Sequence, residues 1–181
     1  AGKGVFEDVT AKAHIGSKTG GSKALFFDMD HDGDLDMYET RSNSNLMFRN
    51  NGDGTFQEQA EKIGLRCTNA NSREAAFGDF DDDGDIDMFV VNENASNNLF
   101  SNQRQGFFKD ITAESGLKSD GGSGAVAVGD YNNDGFASSS WSHERASGLA
   151  LAPSRTWAVG RWRRSLWNSA RTAPSMISPR S

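Results

Sequence analysis

Short apolar runs separated by acidic or glycine-rich turns recur along the first three quarters of the 181-residue chain. Three of these runs directly precede an acidic loop: Lys23–Phe27, Ala75–Phe77 and Ala125–Val128. Runs of this length that are bounded by Gly, Asn and Asp are typical of strands and too short for helices. We therefore predict that each run is a strand that leads into its loop.

Further short apolar runs complete each unit. The pattern predicts second and third strands at Met37–Glu39, Met88–Val91, Asn45–Arg49 and Asn98–Phe100, and a fourth strand at Thr55–Gln59. Four short strands in about 50 residues are the size of one blade of a β-propeller.

The same motif returns at a fixed period. Acidic loops open at Asp28, Asp79 and Asp130, so that 51 residues separate each loop from the next. A fixed period of this length is the signature of a repeat protein. We expect an all-β fold: a β-propeller fragment of about three four-stranded blades, at residues 6–55, 56–107 and 108–136, the last truncated, with short helical turns at Ala60–Leu65 and Ala113–Leu117.

The first loop has the pattern D-x-D-x-D-G-x-x-D from Asp28 to Asp36. A hard cation such as Ca²⁺ takes six to eight oxygen ligands, and Gly33 at position 6 permits the tight turn that lets alternate carboxylates converge. Position 7 offers its backbone carbonyl, and Leu35 at position 8 is expected to anchor the loop in the core. The candidate ligands are Asp28, Asp30, Asp32, Asp34 and Asp36.

The second loop repeats the pattern, with Ile86 at the apolar position 8. Its candidate ligands are Asp79, Asp81, Asp83, Asp85 and Asp87. The third loop is weaker, because Ser138 stands at position 9, and its candidates are Asp130, Asn132 and Asp134. We expect Ca²⁺ at the first two loops, and weak or no binding at the third.

These loops, together with the run Arg49–Phe56, resemble FG-GAP/VCBS repeats of the integrin-α-like propeller blade, and the cartilage acidic protein and ASPIC/UnbV group in particular. The resemblance extends from about Phe6 to Phe136. It implies Ca²⁺ in the hairpin between the first two strands of a blade, and an extracellular or cell-surface location, with the periplasm as an alternative. It also implies a scaffold for adhesion or recognition with an extracellular protein or carbohydrate as partner.

An EF-hand or dockerin-type module is an alternative, because Glu39 occupies position 12 of the first loop. Such a module needs helices on both sides of its loop, and Gly20-Gly21 and Ser42–Asn45 interrupt the flanks. Val90 stands at position 12 of the second loop. A propeller portion of a secreted polysaccharide-active enzyme is a second alternative, although every tight carboxylate cluster is explained by metal ligation, and we expect no catalytic residue here.

The charge balance changes after Phe136. Residues 136–181 contain seven arginines and one acid, Glu144, but no Lys or Asp. Because the change falls inside the third motif, we interpret residues 137–181 as an irregular, disordered or off-frame tail. Arginine interleaved with tryptophan could contact nucleic acid or an anionic membrane surface, but no regular spacing supports this, and we expect no nucleic-acid partner.

Two further features limit the possible functions. No apolar run reaches the roughly 18 residues that a transmembrane helix needs. Cys67 is the only cysteine, so no internal disulfide can form.

Overall fold

The computed structural model describes residues 4–16, 20–104, 106–117, 123–130, 138–143 and 147–151, and these ranges are almost entirely β-structure. The first sheet is fully antiparallel, with its strands side by side in chain order. Its strands are β1 (Lys23–Phe27), β2 (Asp36–Thr40), β3 (Leu46–Asn50) and β4 (Phe56–Glu58). The predicted all-β class and the four-stranded sheet are confirmed, but the fourth strand lies beyond residue 55, where the first unit was predicted to end.

The second sheet repeats this topology after one helical turn, α1 (Ala60–Ile63). Its strands are β5 (Ser72–Gly78), β6 (Asp87–Asn92), β7 (Asn98–Asn102) and β8 (Phe108–Asp110). Gly64 ends α1 with a φ of +88°, and a Cβ atom there would lie 2.5 Å from the carbonyl oxygen of Phe108. Only glycine satisfies both the left-handed backbone and this close approach.

A third sheet has three described strands in the order β11-β10-β9. They are β9 (Ser123–Gly129), β10 (Ser138–His143) and β11 (Ser147–Leu151). The prediction of an irregular tail is therefore wrong for β10 and β11. β10 pairs with β9 on one side and with β11 on the other, and this backbone pairing satisfies N–H and C=O groups whatever the side chains, so composition does not report it. Residues 152–181 lie outside the described ranges.

Neighbouring sheets enclose two apolar clusters. The first cluster lies between the first and second sheets, and the second lies between the second and third. All six residues of β6 are buried, because Met88 and Val90 face the first cluster while Phe89 and Val91 face the second. This strict alternation is the period of a strand that is covered on both faces.

β2 is covered on one face only. Asp36, Tyr38 and Thr40 are buried, whereas the residues between them are half-buried. On the same open side of the first sheet, Phe26 is 53% exposed. Phe48, which pairs with Met37 on that side, is only 3% exposed, so within the described ranges this face is open at β1 but covered at β3.

A buried polar network also joins the first two sheets. The Nδ2 group of Asn45 donates to the Oγ atom of Ser72 at 2.9 Å, and Ser72 donates in turn to Oδ1 of Asn92 at 2.8 Å. These groups are fully enclosed, so each bond replaces a bond to water that folding removes. Apolar clusters and hydrogen bonds together hold successive sheets in a fixed relation, and this relation sets the spacing of the loops described next.

Candidate metal centres

Each acidic loop joins the first strand of its sheet to the second. In loop 1 (residues 28–36) the first carboxylate builds the turn: Oδ1 of Asp28 accepts the N–H of Asp32 at 3.1 Å, and Oδ2 accepts the N–H of Gly33 at 3.0 Å. Gly33 has a φ of +93°, which suits glycine at this position. Loop 2 (residues 79–87) turns in the same way around Asp79.

The position-9 aspartate fixes the base of each loop. Asp36 is fully buried and accepts two backbone N–H groups, from Met29 at 3.1 Å and from Asn50 at 2.8 Å. Burial raises the pKa of Asp36, since desolvation disfavours the charged form, while the two hydrogen bonds oppose this shift. A nearby cation would favour the ionised form.

Asp87 occupies the matching place in loop 2. Its carboxylate accepts the N–H of Phe80 at 2.8 Å and that of Asn102 at 2.9 Å. Burial raises the pKa of Asp87 to about 7, and the charges of Asp81 and Asp83 act in the same direction. Loop 2 thus holds a buried carboxyl for which the described residues provide no positive charge within hydrogen-bonding distance.

Three carboxylates converge in each loop. One oxygen atom from each of positions 1, 3 and 9 lies within 4.8 Å of the other two; the residues are Asp28, Asp30 and Asp36 in loop 1, and Asp79, Asp81 and Asp87 in loop 2. Oxygens around Ca²⁺ stand at similar separations, because each lies about 2.3–2.6 Å from the ion. In loop 1, Oδ1 of Asp30 is also buried without a hydrogen-bond partner. The donor set and this free oxygen fit a hard divalent cation.

The structure does not bring every predicted ligand into these clusters. At position 5, Oδ1 of Asp32 accepts the N–H of Asp34 at 3.0 Å, and Oδ1 of Asp83 accepts the N–H of Asp85 at 2.9 Å. The position-7 residues are thus backbone donors to position 5. In loop 3, Asn132 and Asp134 lie outside the described residues, so only Asp130 has a described backbone.

Residues on the third strands face the carboxylates, and the loop motif does not predict them. Arg49 donates from Nε to Oδ2 of Asp30 and from Nη2 to Oδ2 of Asp32, both at 2.7 Å. Ser101 stands at the matching place in β7 and donates to Oδ2 of Asp81 at 3.1 Å. In the sequence, an asparagine follows each of these residues, Asn50 after Arg49 and Asn102 after Ser101, and this repeat could have identified the two positions as equivalent.

The apolar anchors of the loops are at position 2. Met29 and Phe80 are 3% and 6% exposed, respectively. The expectation that position 8 faces the core is wrong for Leu35, which is 56% exposed, whereas Ile86 packs partly against the first apolar cluster. Position 2 follows the first strand directly, so its side chain continues that strand into the core.

The two loops contact each other. The Nδ2 group of Asn102 lies 3.2 Å from the carbonyl oxygen of Met29 in loop 1 and 3.3 Å from that of Ile86 in loop 2. A second contact joins the loops directly: Nδ1 of His31 lies 3.9 Å from Oδ1 of Asp85, whose side chain is 16% exposed. One asparagine therefore links the backbones of both candidate centres.

The flanks of loop 1 are strands, β1 before it and β2 after it. This contradicts the EF-hand or dockerin alternative, in which helices hold the loop. Within the described part of the chain, no helix is long and apolar enough to cross a membrane.

The sequence model of the FG-GAP-like repeat matches residues 28–90 and 79–138, which together make up more than half of the chain. Among curated proteins, human cartilage acidic protein 1 is 30% identical over 94 residues, covering 51% of this chain and 14% of that protein. The cartilage acidic protein 1 of Xenopus tropicalis is 29% identical over 97 residues, covering 53% of this chain and 15% of that protein. The chain thus matches only about a seventh of the length of these relatives.

Proposed function

Because the chain belongs to the FG-GAP-like repeat family, we propose that it is a calcium-binding part of an extracellular β-propeller, acting as a scaffold for adhesion or recognition. Repeats of this family form propeller-type recognition or adhesion modules. The two stacked four-stranded sheets and the similarity to cartilage acidic protein 1 support a non-catalytic module.

The observation that carries the calcium proposal is the convergence of three carboxylate oxygens in each of two loops that share one geometry. All of the donors are oxygens, which favours Ca²⁺ over softer transition metals. Asp28, Asp30 and Asp36 would hold the ion at loop 1, and Asp79, Asp81 and Asp87 at loop 2. Asp32, Asp83 and the backbone carbonyls at position 7 are proposed as additional ligands. Loop 3, with Asp130, Asn132 and Asp134, is proposed as a weak site.

Calcium would offset two of the negative charges of each loop and reduce the repulsion among its carboxylates. Binding that is specific to the folded state stabilises it by mass action. We propose affinities on the order of 10⁻⁴–10⁻³ M, which suit extracellular modules. The proposed partner is an extracellular protein or carbohydrate, bound at a surface whose shape the two ions maintain.

Thermal unfolding of the full chain in EDTA and in millimolar CaCl₂ tests the proposal. We expect calcium to raise the melting temperature, and we expect Asp30→Ala and Asp81→Ala each to remove part of the rise, because each takes one convergent ligand from its loop. A folded chain whose melting temperature ignores calcium would overturn the proposal.

Asp82→Asn is the matched control. Asp82 lies in loop 2 with a φ of +61°, is exposed and does not belong to the carboxylate cluster. Asparagine tolerates the same left-handed backbone and removes the same single charge as a ligand substitution. The calcium-dependent rise should therefore survive in Asp82→Asn, and its loss there would mean that net loop charge, rather than ligation, produces the effect.

A further inference from the structure

We infer that Arg49 competes with calcium for loop 1, so that loop 2 fills at a lower calcium concentration than loop 1. This inference rests on the calcium sites proposed above. The inference is based on one position at which the side chain is charged beside loop 1 and neutral beside loop 2. Arg49 and Ser101 occupy the same place on the third strand of their sheets, next to the asparagines that hold the position-9 carboxylates.

The guanidinium group of Arg49 lies between two of the carboxylates that would bind a metal ion. It bridges Asp30 and Asp32, the carboxylates of positions 3 and 5, through two bonds of 2.7 Å. Both oxygens of Asp32 are then occupied, since Oδ1 accepts the N–H of Asp34. An ion that takes Asp32 as a ligand must displace Arg49, and the positive charge of Arg49 also repels an approaching divalent ion.

Among the residues that the structure describes, no cation bridges positions 3 and 5 of loop 2. Ser101 is neutral and gives Asp81 one hydrogen bond of 3.1 Å. The positive groups near loop 2 face position 7 instead: Nε of Arg104 lies 3.5 Å from Oδ2 of Asp85, and Arg104 is 76% exposed at its side chain. Because Arg104 contacts position 7, it does not occupy the space between the carboxylates of positions 1, 3 and 9, which converge on one another.

A cavity beside loop 1 can accommodate the Arg49 side chain after it leaves the carboxylates. Arg49 lines this solvent-open cavity of about 300 Å³ together with Asp30, Gln57 and Gln59. The side-chain amides of Gln57 and Gln59 carry carbonyl oxygens that can accept a guanidinium donor. A released Arg49 therefore has polar partners without rearrangement of the sheet, which makes the exchange of arginine for calcium feasible.

Calorimetric titration of the full chain, stripped of metal, with CaCl₂ alone tests the inference. Asp81→Ala isolates loop 1, and Asp30→Ala isolates loop 2. We expect loop 2 to bind at least about fivefold more tightly than loop 1. Adding Arg49→Ser to Asp81→Ala should tighten loop 1 by about tenfold, which corresponds to about 1.4 kcal/mol. Arg73→Ser is the matched control: Arg73 pairs with Glu93 at the surface, and its removal should change affinity less than twofold.

Two further variants keep the test decisive if Arg49→Ser does not fold. Arg49→Lys keeps the charge but cannot bridge two carboxylates as a planar fork does, so it should tighten loop 1 by a smaller factor. Ser101→Arg, added to Asp30→Ala, should weaken loop 2. Unchanged or weaker calcium binding at loop 1 in Arg49→Ser and Arg49→Lys would overturn the inference and make Arg49 a support for Asp30. If neither Asp81→Ala nor Asp30→Ala binds calcium, the proposed function itself fails, and the inference fails with it.

Discussion

In loop 1, backbone N–H groups hold the two oxygens of Asp36 at 3.1 and 2.8 Å, and in loop 2 they hold those of Asp87 at 2.8 and 2.9 Å. The donors occupy the same repeat positions, so the backbone frame of the two centres is common. The carboxylates at positions 3 and 5 have different surroundings. Arg49 bridges those of loop 1 and offsets one of their two negative charges, whereas in loop 2 desolvation, followed by the charge of Asp83, raises the pKa of Asp81.

A metal ion could have two roles in these loops: it could organise the backbone, or it could reduce the repulsion among carboxylates. The backbone frame does not require the ion, because hydrogen bonds from the chain already satisfy the position-9 carboxylates. A cation reduces the repulsion among the outer carboxylates, and among the described residues Arg49 does so at positions 3 and 5 of loop 1, whereas Arg104 contacts position 7 of loop 2. Loop 2 should therefore account for the larger part of any calcium-dependent stability.

The largest effect is expected from the position-9 aspartates, and it tests whether the shared frame is independent of metal. In EDTA, Asp87→Ala should lower the free energy of unfolding by about 2–3 kcal/mol, because the buried N–H groups of Phe80 and Asn102 lose their acceptor. Asp36→Ala should cost about 1–2 kcal/mol, since Asn50 is only half-buried and water can reach its N–H. Urea unfolding measures both.

A larger loss of stability in Asp36→Ala than in Asp87→Ala would contradict this expectation, as would two variants that are neutral in EDTA and destabilised only with calcium. The second result would show that the ion, rather than the backbone, organises position 9. Asp82→Asn serves again as the control for loss of loop charge.

The next largest effect concerns the link between the loops. Asn102→Ala should destabilise the chain by about 1–3 kcal/mol, because its amide contacts carbonyl oxygens of both Met29 and Ile86. Asn50→Ala is its matched partner and should cost about 1 kcal/mol, since its two side-chain bonds, to the carbonyl oxygen of Leu35 at 3.2 Å and from the N–H of Gly52 at 2.9 Å, are exposed and do not reach the other loop. Chemical unfolding in EDTA checks the order, and equal costs would mean that the contact between loops adds nothing.

Much of this arrangement was accessible from the sequence. The predicted bounds of β1, Lys23–Phe27, are those observed, because the strand ends where a motif with its own geometry begins. The spacing also predicted that the carboxylates of positions 1, 3, 5 and 9 converge; those of positions 1, 3 and 9 do so, whereas those of position 5 are not part of either cluster. The sequence pattern predicts strands and loops of this kind because each is determined by residues that lie close together in the chain.

Long-range contacts were not accessible in this way. Arg49 lies 19 residues from Asp30, and Asn102 lies 73 residues from Met29. Such pairings depend on register and on the stacking of sheets, which the hydrophobic pattern leaves open. β10 was missed for a related reason, since its pairing with β9 is a property of the backbone rather than of its serine-rich composition.

The smallest effect tests position 8, where the two loops differ although the pattern treats Leu35 and Ile86 alike. Leu35→Ser should change the free energy of unfolding by less than about 0.5 kcal/mol, because the leucine is 56% exposed. Ile86→Ser should cost about 1–2 kcal/mol, because its side chain packs partly against the apolar cluster between the first two sheets. Parallel urea titrations of the two variants in EDTA give the difference directly. Equal costs would mean that position 8 contributes equally to the anchoring of both loops in the core, and that position 2 is not their main anchor.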